Sequence, residues 1–142
     1  MVKQLSIFVS NEMGGMKKIT KILTDNKVDI RALSIADTSD FGVLRLIVDR
    51  PEDALEGLKA QGVTASLTDV IAVEVSDEPG GLHKIVSALA DGGVDLEYIY
   101  AFLHPGKDHA YVIVKATDED AALKTLAEHN VSVVESGELY NL

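Results

Sequence analysis

Apolar and polar residues alternate along two short stretches of the chain. Leu5, Ile7 and Val9 lie between Gln4, Ser6 and Ser10, and Ile71, Val73 and Val75 repeat the pattern 66 positions further on. A period of two predicts half-buried β-strands. Each stretch leads into a Gly-Gly pair and then into apolar residues at helical spacing: Met16, Ile19, Ile22 and Leu23 in one case, Leu82, Ile85, Val86 and Leu89 in the other. Asn26 and Gly92-Gly93 stand where a helix C-terminus favours residues tolerant of left-handed backbone. Beyond them the pattern predicts strands over 29–37 and 95–103, then hairpins at Thr38-Ser39-Asp40 and at His104-Pro105-Gly106-Lys107-Asp108. Third strands follow over 42–48 and 109–115, helices over 52–61 and 118–129, and last strands over 63–68 and 131–136. Pro51 and Asp118 suit the starts of the two later helices.

The two series are one unit used twice. Of the twenty aligned positions from 11 to 30, nine are identical to those 66 residues later, including the Gly-Gly pair and the Val-Asp after the helix. Repetition of this length marks a structural unit. Each copy reads β-α-β-β-α-β, a ferredoxin-like order. The predicted class is therefore α+β: two such repeats, residues 1–68 and 69–142, each an antiparallel sheet with its helices on one face. Only Thr68 and Asp69 separate Leu67 from Val70, so the repeats are expected to adjoin rigidly. Tyr98, Tyr100 and Phe102 alternate with Ile99, Ala101 and Leu103, which makes both faces of that strand apolar and calls for a cover besides the helices, another sheet or a second chain.

Charge and composition narrow the function. The chain has 142 residues, 46% of them hydrophobic, and a formal charge of −10. That charge repels nucleic acid and anionic membrane, so the aromatic row is expected to pack at an interface and not to stack on bases. With no cysteine, disulfides, thiolate metal sites and cysteine nucleophiles are excluded. No stretch reaches the roughly 20 apolar residues that span a bilayer, and a cytoplasmic location is expected. His83, His104, His109 and His129 lack metal-ligand spacing on any predicted helix and are read as surface residues. Tyr140 and Leu142 either dock on the body or a partner, or fray.

The Gly-Gly turns carry the candidate chemistry. The first N–H groups of a helix have no internal partner and sit at the positive end of its dipole. Glycine removes the Cβ that would hold a carboxylate or phosphate away from them. Asn11 and Asp77, just before the turns, can accept a hydrogen bond from an ammonium group, so a zwitterion suits both ends. The same residues would equally make a plain strand-to-helix corner capped by Asn or Asp.

Asp77-Glu-Pro-Gly-Gly-Leu82 resembles the Asp/Asn-x-Pro-Gly-x-Leu turn of ACT domains. Val28-Asp29-Ile30 and Val94-Asp95-Leu96 are similar to the Val-Asn-Ile that opens that family's second strand. The resemblance covers nearly the whole chain, as two consecutive ACT domains. It implies that an amino acid or similar effector is held where the turn of one domain faces the second-strand entry of another. Asn11, Gly14, Gly15 and Met16 would then face Asp95 and Leu96, and Asp77, Pro79, Gly80, Gly81 and Leu82 would face Asp29 and Ile30. Met13 stands where the family has proline, and aspartate replaces the strand asparagine in both copies. One site thus carries one carboxylate and the other two, so an amino acid is expected to bind best at the Asn11/Asp95 site. Met13, Met16 and Tyr98 leave room for a non-polar or ring-bearing side chain. The implied protein is a small-molecule sensor, not an enzyme, with no cofactor or metal. It would act as a homodimer and serve a regulated partner supplied in trans. An isomerase or hydrolase on the same scaffold, using Asp29, Asp77 and Asp95, and a pure interaction module are the alternatives.

Overall fold

The structure is a computed structural model that describes residues 1–10, 12–37, 40–103 and 108–142. Asn11 and most of both expected hairpin tips lie outside the described residues. The chain divides into two compact units: a first unit of Lys3–Asp69 with Leu139–Leu142, and a second of Val70–Glu138 with Met1–Val2.

In the first unit, β1 (Val2–Ser10) pairs antiparallel with β3 (Phe41–Val48), which pairs antiparallel with β2 (Ile30–Asp37). The alternation read from the sequence sets the register. Leu5 lies opposite Leu46 and Ile7 opposite Leu44, with Leu33 and Ile35 continuing those rows on β2. One face of this sheet is covered by α1 (Gly15–Asp25), which buries Ile19, Ile22 and Leu23, and by α2 (Pro51–Ala60), which buries Ala54 and Leu58. Pro51 opens α2, where its missing N–H costs no helical bond. The helices pack on each other through Asn26 and Gly57, and Arg50 donates to the carbonyls of Asn26 and Lys27 at the exit of α1.

The second unit repeats this plan. β4 (Ala65–Ser76), from Ile71 onward, pairs antiparallel with β6 (His109–Ala116), and β6 pairs with β5 (Leu96–Ala101). Helices α3 (Gly81–Asp91) and α4 (Glu119–Glu128) bury Ile85, Leu89, Ala122 and Leu126 against Ile71, Val73, Val112 and Val114. Asp118 caps α4 by accepting the Ala121 N–H at 3.1 Å. Phe102 is buried edge-on against Tyr111, and Tyr98 stacks on Tyr100, so the aromatic row packs within its own face.

Three expectations are corrected. The strands expected separately over 63–68 and around 71–75 are one strand, β4. The strand expected over 131–136 is reduced to one bridge, Val133 to Val73, flanked by bonds from Glu74 N–H to Ser132 and from Val134 N–H to Ala72. The segment then coils into α5 (Ser136–Tyr140), where Leu139 is fully buried; an extended continuation would have lost that burial. Finally, Met16 and Leu82, expected on the buried faces of α1 and α3, are exposed.

The last residues dock on the first unit. The Tyr140 hydroxyl accepts the Lys3 N–H at 3.0 Å, and Arg31 Nη2 donates to the Tyr140 carbonyl at 3.2 Å. Leu142 remains exposed.

Candidate ligand sites

The two glycines of each turn have different tasks. Gly14 and Gly80 take φ of 87° and 90°, in the left-handed region. Gly15 and Gly81 have ordinary φ but no space: a Cβ on Gly15 would lie 2.8 Å from the Ser10 carbonyl oxygen, and one on Gly81 2.1 Å from that of Ser76. The chain thus turns sharply and seats each helix against the end of the preceding strand. Gly15 N–H donates to Glu12 O and Lys18 N–H to Gly14 O, and Gly81 and Lys84 repeat this with Glu78 and Gly80. The N–H groups of Met16, Lys17, Leu82 and His83 fall between these bonds, ahead of the first helical partner. Among the described residues no side chain caps either helix, and neither first turn holds an acid; the charged residues there are Lys17, Lys18 and Lys84. Asp77 therefore does not cap α3; its own N–H donates to Asp108 O. Met13 and Pro79 are exposed at the turn tips.

In the first unit a cavity of about 530 Å³ opens beside the turn, lined by Val9, Gly14, Gly15, Met16, Ile35, Asp37 and Gly42 among others. Val9, Met16 and Ile35 form its apolar wall, with Ser10, Glu12, Lys17 and Asp37 at the polar positions. The turn's neighbours within its own unit are thus the end of β2 and the start of β3.

Asp29 and Ile30 lie at the other end of that sheet. Ile30 is opposite Val48, whereas Asp37 is opposite Gly42 next to the Ser10–Phe41 pair. Asp29 forms a 2.7 Å ion pair with Arg31, whose side chain is only 13% exposed. The Arg31 Nε is buried without a hydrogen-bond partner among the described residues. The carboxylates of Asp29 and Asp77 are expected to repel unless a cation is present, and beside Asp29 that cation is Arg31, at the start of β2. In the second unit Asp95 and Leu96 hold the corresponding place. The Asp95 carbonyl accepts the Thr117 N–H at 3.0 Å, while its carboxylate has no ion pair among the described residues. No unit brings its own turn together with its own second-strand entry.

The second unit has its own cavity, of about 340 Å³, lined by Glu74, Ser76, Lys84, Asp108, His109, Asn130 and Ser132 together with Val75, Ile85 and Val131, beside Gly81. His109 was read as an isolated surface residue. Its Nε2 lies 3.0 Å from the Tyr111 hydroxyl and its Nδ1 3.4 Å from Glu74 Oε1. Burial, then the Glu138 and Glu74 charges, push the Tyr111 pKa above its ordinary value. Among the described residues no group of three or more His, Asp or Glu can hold a metal ion, and no helix is long and apolar enough to cross a membrane.

The sequence matches the profile of the ACT domain pair over residues 1–142. The chain belongs to the ACT domain family. Its backbone is similar to that of protein BT0572 from Bacteroides thetaiotaomicron, at 33% identity and a TM-score of 0.92, covering 99% of this chain and 96% of that one. The fold recurs in the ligand-free regulatory subunit of aspartate kinase from Thermus thermophilus, at 20% identity and a TM-score of 0.65 over 89% of this chain and 91% of that one. The corresponding subunit from Thermus flavus matches at 19% identity and 0.61, over 90% and 92%. No curated protein matches the chain. An ACT domain pair of this kind is a regulatory architecture.

Proposed function

We propose that this ACT domain pair is an amino-acid sensor that transmits ligand binding to a partner and performs no chemistry of its own. The observation that carries this reading is the pairing of an uncapped, acid-free helix N-terminus at Gly14–Gly15 with an adjoining cavity of about 530 Å³. Amide hydrogens at such a terminus receive a carboxylate, and Val9, Met16 and Ile35 suit a non-polar side chain. An ammonium group is received by an unengaged carboxylate, and the ACT domain that the turn faces would add one to Glu12 and Asp37 of the cavity. Asp95 offers one, whereas Asp29 is already paired with Arg31. The favoured site therefore joins the first turn to Asp95 and Leu96. The second turn, with Asp77, Pro79, Gly80, Gly81 and Leu82, would face Asp29 and Ile30 as the weaker site. Assembly as a homodimer in the cytoplasm and a regulated protein in trans complete the proposal.

A thermal-shift screen of the twenty amino acids tests it. A ligand confined to the folded form adds about 2.7 kcal/mol of stability at about 100 times its Kd, so a binding amino acid raises Tm without being consumed. By calorimetry, Asp95→Ala is expected to weaken binding of that amino acid much more than Asp29→Ala. Equal or reversed losses would refute the assignment of Asp95, and turnover of the ligand would replace the sensor by an enzyme.

A further inference from the structure

We propose that residues 139–142 are an autoinhibitory strap. Docked, they hold Arg31 and keep the Asp29 entry to β2 a poor site; a zwitterion bound at that entry takes Arg31 and releases them. This rests on the sensor reading for the ligand and its place, and adds the route by which binding alters the protein surface.

Leu139 anchors the strap. It is fully buried, yet it is no part of the core beneath α1 and α2. Gln4, Ala32 and Ile47, which alternate with the core residues Leu5 and Leu46 and with Leu33, face away from those helices and are fully buried too. Their chain neighbours Lys3 and Arg31 are the residues that bind Tyr140: the Lys3 N–H donates to its hydroxyl at 3.0 Å, and Arg31 Nη2 to its carbonyl at 3.2 Å. Further along that face Phe8 is exposed. The face is thus closed at the end where the strap docks and open at the other.

Arg31 is shared between the strap and the entry. Its side chain is 13% exposed, whereas that of its partner Asp29 is 65% exposed and open to a ligand. A guanidinium presents its N–H donors in a fixed planar fork. Nη1 serves Asp29 at 2.7 Å, Nη2 serves Tyr140, and Nε has no hydrogen-bond partner among the described residues. Nε–H and one Nη2 N–H lie parallel on the edge that takes a carboxylate bidentately. Nε is closed to solvent while the strap is docked. An ammonium group that engages Asp29 competes with Arg31 for it. A nearly buried guanidinium left with only a neutral carbonyl is an uncompensated charge. The carboxylate of the same ligand meets that charge at the Nε–Nη2 edge and draws Nη2 from Tyr140, because a charge-assisted bond outweighs one to a neutral acceptor. The Lys3 bond and Leu139 must then hold the strap alone. Binding and docking compete for one donor, so each weakens the other by the same factor.

The chain has no tryptophan, so Leu142→Trp, at an exposed position, puts a single reporter on the strap. The twenty L-amino acids are titrated one at a time into the full chain carrying it, by calorimetry and by tryptophan emission. The same titrations are run on Leu139→Ala, which loosens the anchor, and on Tyr140→Phe, which removes only the Lys3 bond. Melting curves establish that each variant is folded. Binding that Asp29→Ala removes is expected to shift the emission to the red. That binding should tighten by about fivefold or more in Leu139→Ala, and by less in Tyr140→Phe. Asp29-dependent binding of unchanged affinity in the folded variants, or its saturation without a change in emission, would overturn the strap and leave the sensor reading in place. Binding that depends on Asp95 alone in every variant would do the same. Absence of binding by any of the twenty amino acids in any variant would sink both.

Discussion

At the scale of residues, the twin glycines are two solutions to two problems, and their substitutions should separate. Gly14→Ala meets open space but must hold left-handed backbone, a cost of roughly 1–2 kcal/mol. Gly81→Ala drives a Cβ into the Ser76 backbone carbonyl, where nothing flexible can give way. Overpacking of that kind costs about 1–3 kcal/mol and at times more. Urea unfolding should therefore rank Gly81→Ala as the more damaging change. Lys27, with φ of 57°, occupies the left-handed position that Gly93 fills in the second repeat. Lys27→Gly is expected to stabilise the protein by about 0.5–1 kcal/mol in the same assay. The turns were legible because glycine pairs ahead of a helical pattern have few other uses. Arg31 and His109 were not, because nothing in a single sequence reveals that a guanidinium is buried beside Asp29 or that His109 comes within 3.4 Å of Glu74 on the neighbouring strand.

At the scale of elements, the two helix pairs pack through reciprocal contacts. In the first unit Asn26 stands over Gly57, where an added Cβ would come within 2.6 Å of the amide nitrogen. In the second Gly92 stands under the buried Thr125, where a Cβ would meet the threonine side chain at 2.7 Å. Large-on-small has become small-under-large at the same crossing. Gly57→Thr and Asn26→Gly should each destabilise the protein, and the double variant should recover much of the loss because it installs the second repeat's pair. A coupling energy of about 0.5–3 kcal/mol is expected from the double-mutant cycle. Helix and strand identities were readable from periodicity because each element buries one face. The 131–136 segment misled because Val131, Val133 and Val134 read as a strand, whereas burial of Leu139 draws the chain into α5 instead. The joining of two expected strands into β4 was hidden for a related reason: Thr68 and Asp69 are polar, yet a strand tolerates them where their side chains reach solvent.

For the molecule as a whole, alkaline pH should be the weak flank. Burial raises the pKa of Tyr111 and of Tyr140 above 10.0, and the Glu119 hydrogen bond raises that of Lys115 above 10.5. Each group holds its proton more tightly folded than unfolded. Its contribution is whole below the unfolded value and is lost as pH climbs through the folded one. Tm is therefore expected to fall as pH rises above about 10, and Tyr111→Phe together with Tyr140→Phe should flatten that fall. A chain shortened after Glu138 should melt lower at neutral pH, since it strips the Tyr140 carbonyl from Arg31 and the buried Leu139 from the first unit. The same geography bears on synthesis. The first unit cannot close its contacts while only the leading half of the chain has left the ribosome. Its Arg31 waits, with one hydrogen-bond acceptor missing, until residues 139–142 emerge, so maturation of the early half is timed by translation of the late one.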